Sequence, residues 1–448
     1  MTRSPDSLIV AARAVHVGVG LDGESPPAEG AGPEAPRAAG PATAVLIRHG
    51  RVAAVGDVGS LERRAPEARR LDLPELTVTP GLTDAHVHLV AWALARGQAD
   101  LRGAGSPAEA AAVVAAHVRD RGPGPGGWIR GRGWDPNPWS EPPHRRLLDE
   151  ALGDRPVALD SHDMHSCWVS SAALRQAGVG AGTPDPDGGR IERDPEGQPT
   201  GVLRDNAIPL VTDAAPRPSE PERREALLGA QAALHRLGVT GVHNVEPDAL
   251  SLLEAVREAG RLRLRVLQHL PLDRLDDAIR IGLRSGFGGP WIRIGGVKVF
   301  LDGALGSRTA WLREPYEGTD SIGLCTLEPE AFRDAARRGA AAGLAMTVHA
   351  IGDAAVALAL ETLSDPDRAV DGPVPHRIEH AQLMPSEWLA PRSPPSGVVL
   401  SVQPSHLMTD WRAADRVWGD RARRAFALRS MEAAGFTLAL GSDAPVEP

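Results

Sequence analysis

Lysine is almost missing from this chain. Of the 49 Lys and Arg residues among 448, one alone is lysine, Lys298. Lysine is normally among the commonest residues. Its replacement by arginine, alongside 49 Gly and 40 Pro, fits a G+C-rich bacterial coding bias. Arginine cannot stand in where chemistry needs an amine that can lose its proton. Lys298 is therefore a candidate for chemistry before any motif is read.

Other scarcities exclude whole classes. The two cysteines, Cys167 and Cys325, lie far apart and form no CxxC pair. That rules against a disulfide framework and points to free thiols in a reducing cytoplasm. The net charge is −9, with no basic stripe, which excludes a nucleic-acid partner. No apolar run approaches the roughly 18 residues of a membrane span, and no apolar stretch follows the N-terminal charges as in a signal peptide. Aromatics are few, with 10 Trp, 5 Phe and the single Tyr316, so tryptophan carries much of the aromatic contact.

What is present is an alternation of strands and helices. Residues 7–20 and 44–56 read as β-rich, and the Pro/Ala/Gly-rich stretch between them reads as a disordered loop. A short helical crossing is expected at 61–70, and 71–83 returns to strand before His86-Val87-His88. These make a small β-rich domain over residues 1–76. Beyond it, eight buried-strand candidates fall at 76–88, 238–245, 262–270, 292–301, 344–349, 376–381, 398–404 and 436–443. Strands separated by helical stretches predict a parallel α/β architecture, and eight such units predict a (β/α)8 barrel. The gap between the first two is too long for one crossover. An inserted subdomain is expected at about 100–230, with a hairpin over GGRIERDPEGQPTGVL. Gly18-Val19-Gly20-Leu21-Asp22-Gly23 matches G-x-G-x-x-G, but no helix follows, so the dinucleotide reading fails.

The chemistry gathers at strand ends. His86 and His88 sit two apart, so the period of a strand points both imidazoles to one face. His349, His380 and Asp443 end three other strands, and Lys298 lies in VKVFLDG. Barrel interiors are normally filled by bulky apolar residues. Imidazole, amine and carboxylate groups aimed there need partners.

The segments HVH, VKVFLDGALGSRTA, VHAIGDAAV, RIEHAQ, QPSH and GSDAPV resemble the amidohydrolase superfamily. More narrowly, they are similar to its family 3 branch, which includes N-substituted formamide deformylases. The resemblance implies a metal-dependent hydrolase barrel with an N-terminal β-sandwich domain. It implies that His86 and His88 bind one divalent ion and that His349 and His380 bind a second. Lys298 would be carbamylated and bridge the two. Asp443 would bind metal and carry the proton. Burial favours such a reaction by keeping the lysine amine neutral, and a hydroxide held between two ions is a nucleophile at neutral pH. Zinc suits these ligands, as do Mn, Fe and Co. The expected activity is cleavage of a non-peptide C–N bond in a small amide or N-substituted formamide. A mononuclear deaminase, a cyclic amidase or an inactive remnant are the alternatives.

Substrate contacts are expected from Asp302 and Arg308, which follow the lysine strand, and from His406 in QPSH. Further candidates lie in the insertion, at Trp134, His162 and His165, with Trp139 more suited to the insertion's own core. A homodimer is compatible with this reading. The resemblance further implies a last barrel helix and added sandwich strands beyond Asp443. With Pro448 as the final residue, 77–448 is expected to form a barrel incomplete at its C-terminus, and the chain to be poorly stable alone.

Overall fold

The computed structural model describes residues 7–16, 42–136, 139–162, 166–390 and 397–446. The glycine motif at 18–23 and nearly all of the expected disordered loop lie outside these residues, as does His165. The chain divides into two compact units, Met1–Leu82 and Thr83–Pro448.

The first unit is a four-stranded sheet with one helix. Its strands are β1 (Ser7–Val15), β2 (Ala44–Arg48), β3 (Arg51–Gly56) and β4 (Arg69–Val78), in the order β3-β2-β1-β4. The helix Val58–Arg64 starts where Asp57 accepts a 2.9 Å hydrogen bond from the Ser60 N–H, which satisfies one of the orphan donors of its first turn. Its Leu61 packs on Ile9, Ala44 and Leu46. The strand expected at 76–88 is interrupted after Val78. Thr79-Pro80-Gly81 intervenes, and proline has no N–H to give a ladder.

In the second unit, β5 (Leu82–Val87) enters the barrel. The insertion follows, with β6 (Ala99–Asp100), β7 (Ile129–Trp134), β8 (Val157–Ser161), β9 (Ser166–Val169), β10 (Gly189–Arg193) and β11 (Pro199–Asp205). They form one sheet in the order β10-β11-β9-β8-β7-β6, and β10 with β11 is the expected hairpin. The barrel resumes with β12 (Val239–Asn244), β13 (Arg265–Pro271), β14 (Ile292–Phe300), β15 (Met346–Ala350), β16 (His376–His380), β17 (Val398–Val402) and β18 (Thr437–Leu440). From β12 to β18 every neighbouring pair is parallel. With β5 beside β12, these eight strands are those of a (β/α)8 barrel.

Alternation along the strands sorts side chains between two environments. Val297, Val299, Met346, Val348 and Ile378 pack outward with helix residues such as Phe332 and Leu360. Lys298, Thr347, Arg377 and Glu379 take the intervening positions and are buried too. Parallel strands covered on both faces have this two-sided burial. Here the inner side is polar rather than filled with branched aliphatics.

The sheet closes between the first strand and the segment after the last. The Asp443 N–H donates to the His86 carbonyl at 2.8 Å, and the His88 N–H donates to the Ala444 carbonyl at 2.9 Å. Asp84 staples this seam, accepting from the His86 N–H at 3.1 Å, the Ser442 N–H at 3.0 Å and the Ser442 hydroxyl at 2.6 Å. The approach is so close that a Cβ on Gly441 would lie 2.5 Å from the His86 nitrogen. Glycine is required there for lack of space. Among the described residues, no helix is long and apolar enough to cross a membrane.

Three hydrogen bonds end on the Asp84 carboxylate, two of them from backbone groups at the seam. Asp84→Ala is expected to lower unfolding stability by about 2–3 kcal/mol, from buried donors left unpaired. Urea denaturation followed by circular dichroism checks it. An unchanged midpoint would mean the seam closes without the staple.

Candidate metal centre

The inner face of the strand ends brings the predicted ligands together. His86, from the end of β5, lies with His380, at the end of β16, and Asp443, just past β18. One donor atom from each falls within 4.8 Å of the others, and all three residues are buried. His86 Nε2 is 3.3 Å and His88 Nε2 3.4 Å from Asp443 Oδ1. The His349 and His380 rings meet edge to face with centroids 4.6 Å apart, and those of His86 and His380 lie 4.9 Å apart. His88 is the more exposed member, at the N-terminus of the helix Leu89–Ala95. It cannot cap that helix itself. Asn244, the last residue of β12, and Glu246, just after it, accept the N–H groups of Leu89, Val90 and Ala91 instead and so fix the backbone that carries it.

Strand parity does not account for every ligand. His380 shares the parity of the outward-facing Ile378, yet its ring lies among those of His86 and His349. A backbone φ of 72° at His380 redirects it, and Asp443 has a φ of 58°. Both are left-handed conformations that non-glycine residues rarely adopt and that concentrate at functional sites.

In three of the four histidines a second ring nitrogen has an outer partner. His86 Nδ1 contacts Glu379 Oε2 at 2.6 Å. His380 Nδ1 contacts the Gln403 side-chain oxygen at 2.8 Å. His349 Nε2 contacts the Gly303 carbonyl at 3.0 Å. Such partners fix the tautomer and leave the other nitrogen as a lone-pair donor, the arrangement of metal-bound histidine. Glu379 is in turn gripped by Arg377, whose Nε lies 2.9 Å from its Oε1 and Nη2 3.2 Å from its Oε2. The same guanidinium donates to the Ser401 hydroxyl at 2.7 Å and contacts His243.

At His349, His380 and Asp443 the electrostatics favour ligand-ready forms. Burial depresses the His349 pKa to about 3, helped by the Lys298 charge, and pushes that of His380 well down. Burial alone would keep Asp443 protonated, but His86, His88 and His380 hold it well below the usual carboxylate range. Glu379 likewise stays ionised against its burial, because of Arg377 and His86. His86 itself is also buried, yet the Glu379 and Asp443 charges raise its pKa. Neutral imidazoles beside an ionised carboxylate are the states that bind metal. Nitrogen and carboxylate donors held by outer hydrogen bonds thus fit divalent ions. Lys298 lies alongside on β14, fully enclosed, with its Nζ 4.8 Å from the Phe300 ring centroid. Burial lowers its pKa to about 8, against the pull of the Glu379 and Asp443 charges.

The expected substrate contacts fare unevenly. His406 is buried in the first turn of the helix Pro404–Trp418, with Nε2 3.7 Å from Asp443 Oδ2. Arg308 is exposed, at a φ of 54°, with no ion-pair partner among the described residues. Asp302 is a backbone anchor. It accepts the N–H groups of Trp311, Ile351 and Gly352 at 2.8–3.3 Å and lies 3.6 Å from His349 Nε2. Burial pushes its pKa up to about 7, with those donors pulling the other way. Trp134 is a correction. It is 1% exposed in the insertion's core, stacked on Trp139 at 5.5 Å, and its indole N–H donates to the Leu159 carbonyl. Its burial leaves no face for a substrate. His162 is exposed on the insertion.

Glu379, Arg377, Gln403 and Asp84 were not anticipated from sequence. A signal existed for the first two. Arg-x-Glu at i, i+2 on a barrel strand puts opposite charges on one inner face, where neither could remain unpaired.

Residues 69–448 match the profile of the amidohydrolase family. The chain is 32% identical to YtcJ of Bacillus subtilis (strain 168) over 424 residues, covering 90% of this chain and 78% of that one. It is 30% identical to the N-substituted formamide deformylase of Arthrobacter pascens, over 90% of this chain and 77% of the deformylase. Among solved structures, an uncharacterized metal-dependent hydrolase from Pyrococcus furiosus superposes with a TM-score of 0.75 at 27% identity, over 99% of this chain and 86% of the other.

Glu379→Gln keeps the shape of the His86 partner but removes its charge. Divalent-metal affinity is expected to fall about 10–100-fold, measured by competition with a chromophoric chelator. Unchanged affinity would show that Glu379 does not tune the ligand.

Proposed function

The chain belongs to the amidohydrolase family, and from its site we propose a metal-dependent hydrolase that cleaves a non-peptide C–N bond, in an amide or N-substituted formamide. The observation that carries this is the buried His86–His380–Asp443 cluster, with each imidazole fixed by an outer hydrogen bond. His86, His88, His349 and His380 would hold two divalent ions, zinc by ligand type. Lys298, converted to its carbamate, would lie between them. Bound there, the ions would supply Lewis acidity and an ionised water at neutral pH.

The residues themselves do the rest. Lys298 has the low amine pKa that reaction with carbon dioxide needs, because a neutral amine is the nucleophile. A carbamate there would carry one negative charge shared by two oxygens, which suits it to holding divalent ions. Asp443, held ionised between His86 and His88, accepts the proton of the attacking water. It then delivers that proton to the leaving nitrogen. Glu379 and Arg377 keep His86 in one tautomer throughout. Asp302 ties the loop after β14 to that after β15 and so fixes the strand ends around the reacting atoms.

A second reading keeps one ion. The tight triad comprises only His86, His380 and Asp443, which suits a mononuclear deaminase or cyclic amidase with an unmodified Lys298. Metal analysis of purified, active protein separates the two. Close to two ions per chain, with turnover on an amide and formamide panel, is expected. About one ion would support the second reading, and active protein without metal would refute both.

Lys298→Arg keeps a cation but cannot form a carbamate. It is expected to lose at least about 100-fold in kcat, and retained activity would refute the bridging role. Reactivation of metal-free protein by metal plus bicarbonate should also accelerate as pH rises through about 8, above which the Lys298 amine is mostly neutral. A rate independent of bicarbonate would argue that no carbamate forms.

A further inference from the structure

Beside the cluster lies a narrow, partly open pocket, bounded among others by His380, Gln382, His406, Leu407, Phe426 and Met431. Two polar atoms there are buried without a partner, His406 Nε2 and the Gln382 side-chain oxygen. Both residues are at least nine-tenths buried. Buried polar atoms without partners are uncommon in native folds, and each calls for an explanation.

The hydrogen-bond pattern gives His406 a definite role. The Gln382 amide nitrogen lies 3.1 Å from His406 Nδ1 and donates to it. A neutral imidazole that accepts at Nδ1 carries its proton on Nε2. Nε2 is also the atom nearest the ionised Asp443, at 3.7 Å from Oδ2, which favours a proton there. That distance is too long for a hydrogen bond. The N–H thus points at the reaction zone with nothing to donate to. The His406 ring stacks on that of His380 with centroids 5.9 Å apart and an interplanar angle of 15°, so its aim is fixed by packing as well as by Gln382.

We propose that this pocket is the acyl subsite of the hydrolase. His406 Nε2–H donates to the scissile carbonyl oxygen, Gln382 holds His406 in the donor tautomer, and the acyl substituent occupies the space beside Leu407, Phe426 and Met431. The inference rests on the hydrolase reading above and adds the substrate class: amides of short, apolar acyl groups. As water attacks, the carbonyl π electrons move onto oxygen, and charge grows where the His406 N–H points. A donor placed for that charge is worth more in the transition state than in the ground state. The walls explain the acyl limit. Met431 is fully buried and Phe426 half-buried while Leu407 is exposed, and the apolar space beside them is small.

The test uses full-length, metal-loaded protein. The N-formyl, N-acetyl, N-butyryl and N-benzoyl derivatives of one aromatic amine serve as substrates, with amine release as the readout. In the wild type, kcat/KM is expected to fall at least about tenfold from the shortest to the bulkiest acyl group. Met431→Ala should shift the preference towards the longer chains. His406→Leu is expected to lower kcat about 100-fold with KM and metal content little changed. His406→Gln, whose amide can reach the same position, should recover part of the loss. A folded, metal-replete His406→Leu with kcat within about threefold of wild type would overturn the donor role. An acyl series without size dependence would overturn the subsite, even if the variants failed to fold. Wild-type protein that releases amine from no member would instead refute the hydrolase reading on which both rest.

Discussion

Closing an eight-stranded sheet on itself is the constraint from which the site follows. His86 and Asp443 lie at opposite ends of the barrel sequence, and they meet because the first strand pairs with the segment after the eighth. Parallel strands need that pairing to satisfy their backbone groups. Here the backbone bonds between Asp443 and His86, and between His88 and Ala444, complete the ladder and set two candidate ligands on adjacent rungs. The absence of a side chain at Gly441 permits the approach. Asp84 holds it by taking up the N–H groups that the short eighth strand leaves over.

The polar interior is the second consequence. A (β/α)8 barrel usually fills its centre with aliphatic layers. This one places Arg377, Glu379, Ser401, Thr347, His243 and His269 there, nearly all hydrogen-bonded to one another or to the backbone. Burial of a single charge among them would be costly. The Arg377–Glu379 pair avoids that cost through two contacts between one guanidinium and one carboxylate. The pair is then available to orient His86. Loss of either partner would leave the other charge buried alone, so this ion pair joins the stability of the barrel to the geometry of its ligands.

Much of this was legible in the sequence, for identifiable reasons. The barrel strands are continuous apolar runs ending in chemistry-bearing residues, and that pattern located all eight. The lone lysine stood out because composition had removed every other. The failures have equally definite causes. Trp134 flanks a Pro-rich segment that looks like a pocket lip, but three tryptophans of the insertion pack on one another, and mutual burial outweighs exposure to a ligand. The anchoring role of Asp302 was not foreseen either: three backbone donors of neighbouring loops converge on it. Loop-to-loop hydrogen bonds of this kind leave no periodic trace. Asp84 and Gln403 escaped notice for the same reason.

The left-handed backbone at His380 and Asp443 sets the two demands on these positions against each other. A glycine at either would relax the chain, since it lacks the Cβ that makes such angles costly. The fold therefore carries, at two of its ligands, residues that are poorer for the backbone than the simplest replacement. A sequence drifting without a site to maintain would shed that strain. At these two positions the backbone cost accompanies the aim of a side chain into the cluster.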